Sequence, residues 1–233
     1  MEPTFKAVAD HALLVSFAQE LSDESHAAVI ALDDALTCRV PEGVIETVPA
    51  LVNLLVSYDP MITDAVTIER TVRKELNAQH SKDGATYKEP KRRLVQICYD
   101  APFSPDLTTV AKAKNLSTDD VIRSHLKSDY RVLMYGFSPG YAYMGGVPDN
   151  IQVPRKKAAV RNVPAGSVII AGSQCLITTL TMPTGWSIIG RSPTPIFTGD
   201  TENPFLFDVG DEVEFKQIDQ TTYQREIKAV AHE

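Results

Sequence analysis

The chain of 233 residues is poor in cysteine, has a single tryptophan and carries no surplus of positive charge. Its three cysteines, Cys38, Cys98 and Cys175, sit in the apolar settings "ALTCRV", "VQICYD" and "SQCLIT". Odd in number and widely spaced, they read as buried, reduced thiols rather than as catalytic groups. The five histidines (His11, His26, His80, His125 and His232) include no pair at metal-ligand spacing, so no metal site is expected. A formal net charge of −7 argues against a nonspecific nucleic-acid binder, which needs a basic surface. The one basic cluster, "PRKKAAVR", is too short for a duplex and suits a small anion or a partner. No apolar run approaches the length that crosses a bilayer. The opening "MEPTFKAVAD" lacks the basic-then-apolar layout of a signal peptide, and a cytoplasmic location is expected. Neither a repeat of fixed period nor a low-complexity segment occurs.

What is present is ample core material. Hydrophobic residues make up 43% of the chain, enough for one large domain or two modest ones. In "FKAVADHALLVSFA" two apolar runs broken by "DH" predict a hairpin. A helix follows in "LSDESHAAVIALDDALTC", with Ser22 as cap, Asp23 and Glu24 at the positive end of its dipole, and a stripe of Val29, Leu32 and Leu36. "GVIETVPALVNLLVSYD" gives two β-rich runs separated near Pro49. A second helix, "TDAVTIERTVRKELNAQ", takes Thr63 as cap and Ala65, Ile68, Val72 and Leu76 as its apolar spacing. The order ββαββα predicts a small sheet with helices on one face, over residues 1–80.

A polar stretch interrupted by Gly84 and Pro90 reads as a linker over 81–92. Beyond it, "LVQICYD" is a strand, and "DLTTVAKAKN" and "STDDVIRSHLKS" are short helices, the second capped by Ser117. From "YRVLMYGF" onward short strands alternate with turn residues: "SVIIAG", "CLITTL", "WSIIG", "PIFT", "EVEFKQI" and "QREIKAV". That rhythm is the signature of a β-barrel or sandwich over 93–233. The fold class expected is therefore α+β.

The densest stretch, "GFSPGYAYMGGVPDNIQVPRKKAAVRNVPAGSV", contains no standard catalytic signature. Its glycine spacing fits neither a phosphate loop nor a dinucleotide fingerprint. "GFSPG" is no serine nucleophile elbow, because Pro139 follows Ser138 directly and removes the N–H an oxyanion hole needs. The Gly and Pro residues supply turns that any small barrel requires. Phe137, Tyr141 and Tyr143 either line a pocket or fill the core. His125, near the end of its helix, is either an acid/base group or a structural one. Arg155, Arg161 and Arg191 each adjoin a rigid turn, where a guanidinium makes a good bidentate site for carboxylate or phosphate, or a surface ion pair.

The stretches "GFSPGYAYMGGVP", "VPRKKAAVRNVPAGSVIIAGSQ" and "GWSIIGRSPTPIF" closely resemble the motif set of the family that joins KipI with the B subunit of 5-oxoprolinase, long labelled allophanate hydrolase subunit 1. "LLVSYDP", "PDLTTVAKAKNLSTDDVIRSH" and "VGDEVEF" follow the family's order, so the resemblance covers most of the chain. It implies a small α/β sandwich N-terminal domain followed by a cyclophilin-like β-barrel. It also implies two partners: the C subunit (a second cyclophilin-like protein, also called subunit 2) and the A subunit. Their assembly would use ATP to open the lactam of 5-oxoproline. Related domains form a biotin-dependent carboxyltransferase in urea amidolyase, and one branch inhibits a sporulation histidine kinase.

On this resemblance His125, Arg155 and Arg161 are the expected catalytic residues. Gly136, Phe137, Pro139, Gly140, Tyr143, Gly166, Gln174 and Arg191 are expected to contact substrate. Backbone amides of "GFSPG" and "PAGS" would add neutral donors. The chain departs from the family's "GGQTGIYP" wording with "GSQCLITT": Gln174 is kept, while Cys175, Leu176 and Thr178 differ.

Overall fold

The computed structural model describes residues 2–80 and 90–230, in two compact units that divide between Pro90 and Lys91. In unit 1, β1 (Thr4–Ala9) and β2 (Ala12–Ser16) form the hairpin turning at Asp10 and His11. They are followed by α1 (Asp23–Cys38), β3 (Val44–Ala50), β4 (Asn53–Tyr58) and α2 (Ala65–His80). The four strands pair antiparallel in the order β1-β2-β4-β3. Leu13 lies opposite Val56 and Val15 opposite Leu54, so alternation puts these side chains on one face. That face packs against Val29, Leu32 and Leu36 of α1 and Ile68, Val72 and Leu76 of α2.

The start of α1 is fixed by a reciprocal cap. The Ser25 amide donates to Ser22 Oγ at 3.1 Å, and the Ser22 amide to Ser25 Oγ at 3.0 Å. Three local expectations need correction. Pro49 lies inside β3, and the chain reverses at Leu51, which takes a left-handed φ of 57°. The cap of α2 is Asp64, whose Oδ1 accepts the Thr67 amide at 2.7 Å; Thr63 is held instead in the preceding turn by its amide bond to Asp59. Cys38 is exposed, because it falls two residues past Leu36 and off the buried stripe of α1.

Unit 2 begins with β5 (Arg92–Cys98), whose first residue falls within the expected linker; most of that linker, 81–89, lies outside the described residues. The order continues through α3 (Leu107–Lys114), α4 (Thr118–Leu126), β6 (Tyr130–Tyr135), β7 (Ala142–Gly145), β8 (Val160–Val163) and β9 (Ser167–Ala171). Then come β10 (Gln174–Ile177), β11 (Met182–Thr184), β12 (Ser187–Arg191), β13 (Glu212–Ile218) and α5 (Gln220–Val230). Seven strands close a barrel in the order β6-β13-β5-β12-β9-β10-β7, with β7 returning to β6. Within it, β13 and β5 run parallel. The barrel and the small sandwich are the α+β architecture the resemblance implied.

Period-two alternation sorts the barrel residues. Val95, Ile97, Val132, Met144, Val168, Ile170, Cys175, Ile177 and Phe215 fill the interior. Their neighbours in sequence point the other way: Ile169, Ala171, Leu176 and Ile188 join Tyr141, Val163 and Trp186 in a second cluster. All five residues of β9 are buried, as a strand covered on both faces must be. A buried carboxylate ties β5 to β13: Asp211 accepts from Arg93 Nε at 2.8 Å, from the Lys91 amide at 3.1 Å and from the Asp208 amide at 2.9 Å.

Two expected strands are absent as such. "PIFT" makes one isolated bridge, Phe197 to Phe205. "QREIKAV" belongs to α5, a helix opened by Asp219, whose Oδ1 accepts the Thr222 amide at 2.7 Å. Tyr223 is buried beside Phe103, at 4.4 Å between rings. The cap and this anchor outweigh the β-like composition of the segment. No helix among the described residues is long and apolar enough to cross a membrane.

Candidate functional site

The excursion from β7 to β9, residues 146–166, covers one outer patch of the barrel. The small antiparallel pair β8–β11 brings Val163 over Tyr141, Ile169, Leu176 and Trp186. Four aromatic rings run along this patch: Phe137 to Tyr141 at 5.3 Å, Tyr141 to Tyr143 at 5.6 Å, and Tyr143 to Trp186 at 6.0 Å. These spacings suit edge-to-face contact. The run ends at Phe137, which is 75% exposed.

The turn presenting Phe137 is unusual. The Ser138 amide donates to the Gly136 carbonyl at 2.8 Å, and Phe137 between them has a φ of 70°. An i to i+2 bond around a positive φ is the geometry of the rare, strained γ-turn. A bulky side chain there is a genuine outlier that surrounding structure must enforce. Two further bonds do so: the Tyr141 amide to the Ser138 carbonyl at 3.0 Å, and Thr179 Oγ1 to the Pro139 carbonyl at 3.0 Å. Gly140, also at positive φ, fits where a Cβ would come within 3.3 Å of Ile196, Phe205 and Thr179. Ser138 Oγ is buried with no hydrogen-bond partner among the described residues, an orphan that costs free energy where it stands.

Beside the aromatic run lies the basic segment. The Lys156 amide donates to the Gly185 carbonyl at 2.6 Å, and Lys156 Nζ pairs with Asp106 Oδ2 at 2.5 Å. Lys156 is thus pinned to the barrel. Arg155, Lys157 and Arg161 are exposed, and none of them has an ion pair or side-chain hydrogen bond among the described residues. Arg155 acts electrostatically on Tyr141. The Tyr141 phenol is pushed up to about 12, chiefly by burial and then by Tyr143, with Arg155 opposing. The exposed ring of Phe137 beside cations unpaired among the described residues can hold a small molecule bearing carboxylate or phosphate.

The other expected site residues lie elsewhere. His125 is 0% exposed. Its Nδ1 is 2.8 Å from the Tyr99 hydroxyl and its Nε2 3.6 Å from Cys175 Sγ, with Phe215 and Tyr130 packed at 4.7 and 5.1 Å. Burial drives its pKa down to about 3, and burial likewise raises those of Tyr99, Tyr130 and Cys175. The ring is a neutral core group with both nitrogens facing protein, the structural of its two readings. The expectation of an acid/base role finds no open face here.

Gly166 has φ 80°, and a Cβ there would sit 2.6 Å from the Ser192 carbonyl, so the position requires glycine on both counts. Arg191 Nε donates to the Ala165 carbonyl at 3.2 Å, so Arg191 clamps that turn. Gln174 is half-buried on β10, paired with Ala171 and Gly145. Of the amides expected as donors, four are engaged: Gly136 and Ser138 within their own loop, Gly166 on the Thr178 carbonyl and Ser167 on Thr178 Oγ1. The divergent residues Cys175, Leu176 and Thr178 are all interior, at 2% exposure or less. Thr178 Oγ1 donates to the Pro164 carbonyl at 2.8 Å. Sequence reasoning passed over Lys157: it sits in the quoted basic cluster, but which cations lack partners is visible only in three dimensions.

Known proteins resemble this chain in both sequence and structure. Residues 3–207 match the model of the carboxyltransferase domain, subdomain C and D. The chain is 33% identical over 222 residues to the B subunit of 5-oxoprolinase from Bacillus subtilis, covering 92% of each chain. Among solved structures, TTHA0988 superposes with a TM-score of 0.77 at 29% identity, over 90% of this chain and 40% of that one. The Kluyveromyces lactis urea amidolyase superposes at 0.74 with 14% identity, a likeness of fold over 97% of this chain and 15% of that protein. This chain therefore spans less than half the length of either solved neighbour.

Proposed function

Since the chain belongs to the family of the 5-oxoprolinase B subunit, built on a carboxyltransferase domain, we propose that it is one component of an ATP-dependent lactam-opening hydrolase. The substrate of choice is 5-oxoproline, and the assembly is completed by a cyclophilin-like C subunit and by the A subunit. The name of the Bacillus subtilis relative supports the substrate class and the membership of a larger assembly. The observation that carries the reading is the conjunction of the cations Arg155, Lys157 and Arg161, unpaired among the described residues, with the exposed ring of Phe137 packed on the buried Tyr141.

That surface matches the chemistry required. A lactam is planar and unreactive toward water, and 5-oxoproline also carries a carboxylate. ATP, when bound, supplies a phosphoryl group that makes the lactam oxygen a leaving group. The cations of this chain neutralise carboxylate or phosphate charge, and the exposed ring of Phe137 gives an apolar face. His125 takes no part as acid or base in this reading, because it is sealed in the barrel as a neutral ring.

The test is reconstitution of this chain with its two candidate partners, followed by an assay of ATP-dependent glutamate release from 5-oxoproline. Turnover by the complete complex is expected, with a loss of at least about 100-fold in the variant carrying Arg155→Ala, Lys157→Ala and Arg161→Ala, on the order of 3 kcal/mol. Absence of turnover in the complete complex, together with tight binding to a histidine kinase, would replace this reading by a regulatory one. Wild-type turnover in the triple variant would remove the basic segment from the site.

A further inference from the structure

Unit 2 holds a cavity of about 620 Å³, an open groove away from the basic segment, lined in part by Gln96, Asp100, Lys216, Asp219, Thr222 and Arg225. Its construction follows from the parallel pairing in the barrel. Because β5 and β13 run the same way, with Gln96 opposite Lys216, their C-terminal ends leave at the same edge. Asp100 follows one strand and Asp219 the other, and α5 starts between them. The Gln220 amide donates to Asp100 Oδ2 at 3.0 Å and the Thr222 amide to Asp219 Oδ1 at 2.7 Å. These bonds fix both carboxylates at one end of the groove.

The cations are held differently. Lys216 has no ion pair among the described residues. Arg225 makes an ion pair with its neighbour Glu226, at 3.0 Å and with a largely exposed guanidinium, a contact of little strength in water, and it also acts electrostatically on Asp219. Lys216 and Asp219 are three positions apart, roughly 10 Å along an extended chain. One groove therefore presents two carboxylates at one end, with Lys216 farther along and Arg225 within electrostatic reach of Asp219, and the Gln96 amide as a neutral partner. Its volume falls within the range of small-molecule sites.

Charge of both signs selects the ligand class. A simple anion meets Asp100 and Asp219, and a simple cation meets Lys216 and Arg225, so each is repelled by like charge in the groove. A molecule with an ammonium and a carboxylate finds a partner for both groups. We propose that the groove between α5 and the β5–β13 pair binds a small zwitterion of the amino-acid class. This site is separate from the aromatic and basic surface and does not depend on the reading given for it.

Calorimetric titration of the full chain tests it, with L-glutamine as zwitterion, glutarate as anion and n-butylamine as cation. L-glutamine is expected to bind at millimolar concentration, with the other two at least about tenfold weaker. The double variant Lys216→Gln, Arg225→Gln is expected to lower L-glutamine affinity by about tenfold or more. Asp219→Asn keeps a competent helix cap and is expected to do the same; circular dichroism verifies that each variant is folded. The proposal is overturned if L-glutamine produces no binding heat, if glutarate or n-butylamine binds as tightly, or if the folded double variant keeps wild-type affinity.

Discussion

The interior around His125 and the surface around Arg155 use the same kinds of side chain to opposite ends. Inside the barrel, His125, Tyr99 and Cys175 contact one another, with Tyr130 and Phe215 packed around them. Burial there removes charge: the histidine stays neutral and the phenols and thiol stay protonated. On the outer patch, Arg155, Lys157 and Arg161 keep their charge in water, without carboxylate partners among the described residues. A group's capacity for chemistry is set here by exposure and by the absence of partners, and residue type alone does not supply it. The interior is optimised for stability, whereas the patch tolerates strain at Phe137 and an orphan hydroxyl at Ser138.

Four measurements put this contrast to the test. The largest effect is expected from His125→Ala, which empties a fully enclosed aromatic-sized site and leaves the Tyr99 hydroxyl unpaired. Urea unfolding should show a loss of about 4 kcal/mol. A change below about 1 kcal/mol would mean the ring is not a core element.

Next comes pH. The folded pKa of His125, about 3, lies below its ordinary 6.5, so below about pH 6.5 the unfolded chain takes up a proton that the folded chain refuses. Its contribution to stability is present above that pH and is lost as pH falls, by up to about 1.4 kcal/mol per unit. Comparison of wild type with His125→Gln cancels the carboxylate contributions common to both. The stability difference should shrink steadily with acidification, and a constant difference would contradict the neutral buried ring.

At the patch the effects on stability are smaller. With φ at 70°, position 137 should favour glycine over alanine by about 1 kcal/mol. Thermal unfolding of Phe137→Gly and Phe137→Ala reads this directly, and equal stability would mean the γ-turn relaxes in solution. The smallest change is expected from removing Arg155, Lys157 and Arg161 together, which should alter unfolding free energy by no more than about 0.5 kcal/mol. A large loss would reveal hidden ion pairs and return these residues to a structural role.

Much of the fold is legible in order and pattern. The hairpin at Asp10 and His11, the caps Ser22 and Ser117, the stripe Val29, Leu32 and Leu36, and most barrel strands follow from local spacing and turn chemistry. The segment "QREIKAV" misleads because its alternation resembles a strand, while its fate depends on Asp219 upstream and on the packing that receives Tyr223. Cys38 misleads because an apolar neighbourhood in sequence does not say which side of a helix faces the core. His125 admits two roles in the sequence, since nothing local reveals that Tyr99 and Cys175, 26 and 50 residues away, enclose it.

The elements, their order and the family are therefore carried by the letters of the chain, because periodicity, caps and long motifs are properties of neighbouring residues. Which charges are paired is settled only once the chain has folded. Lys156 meets Asp106 across 50 positions while Arg155 and Lys157 beside it meet none among the described residues, and the β5–β13 pairing gathers Gln96, Asp100, Lys216 and Asp219 around one groove. Electrostatic and desolvation energies depend on distance and burial in space, and neither is encoded in adjacent letters.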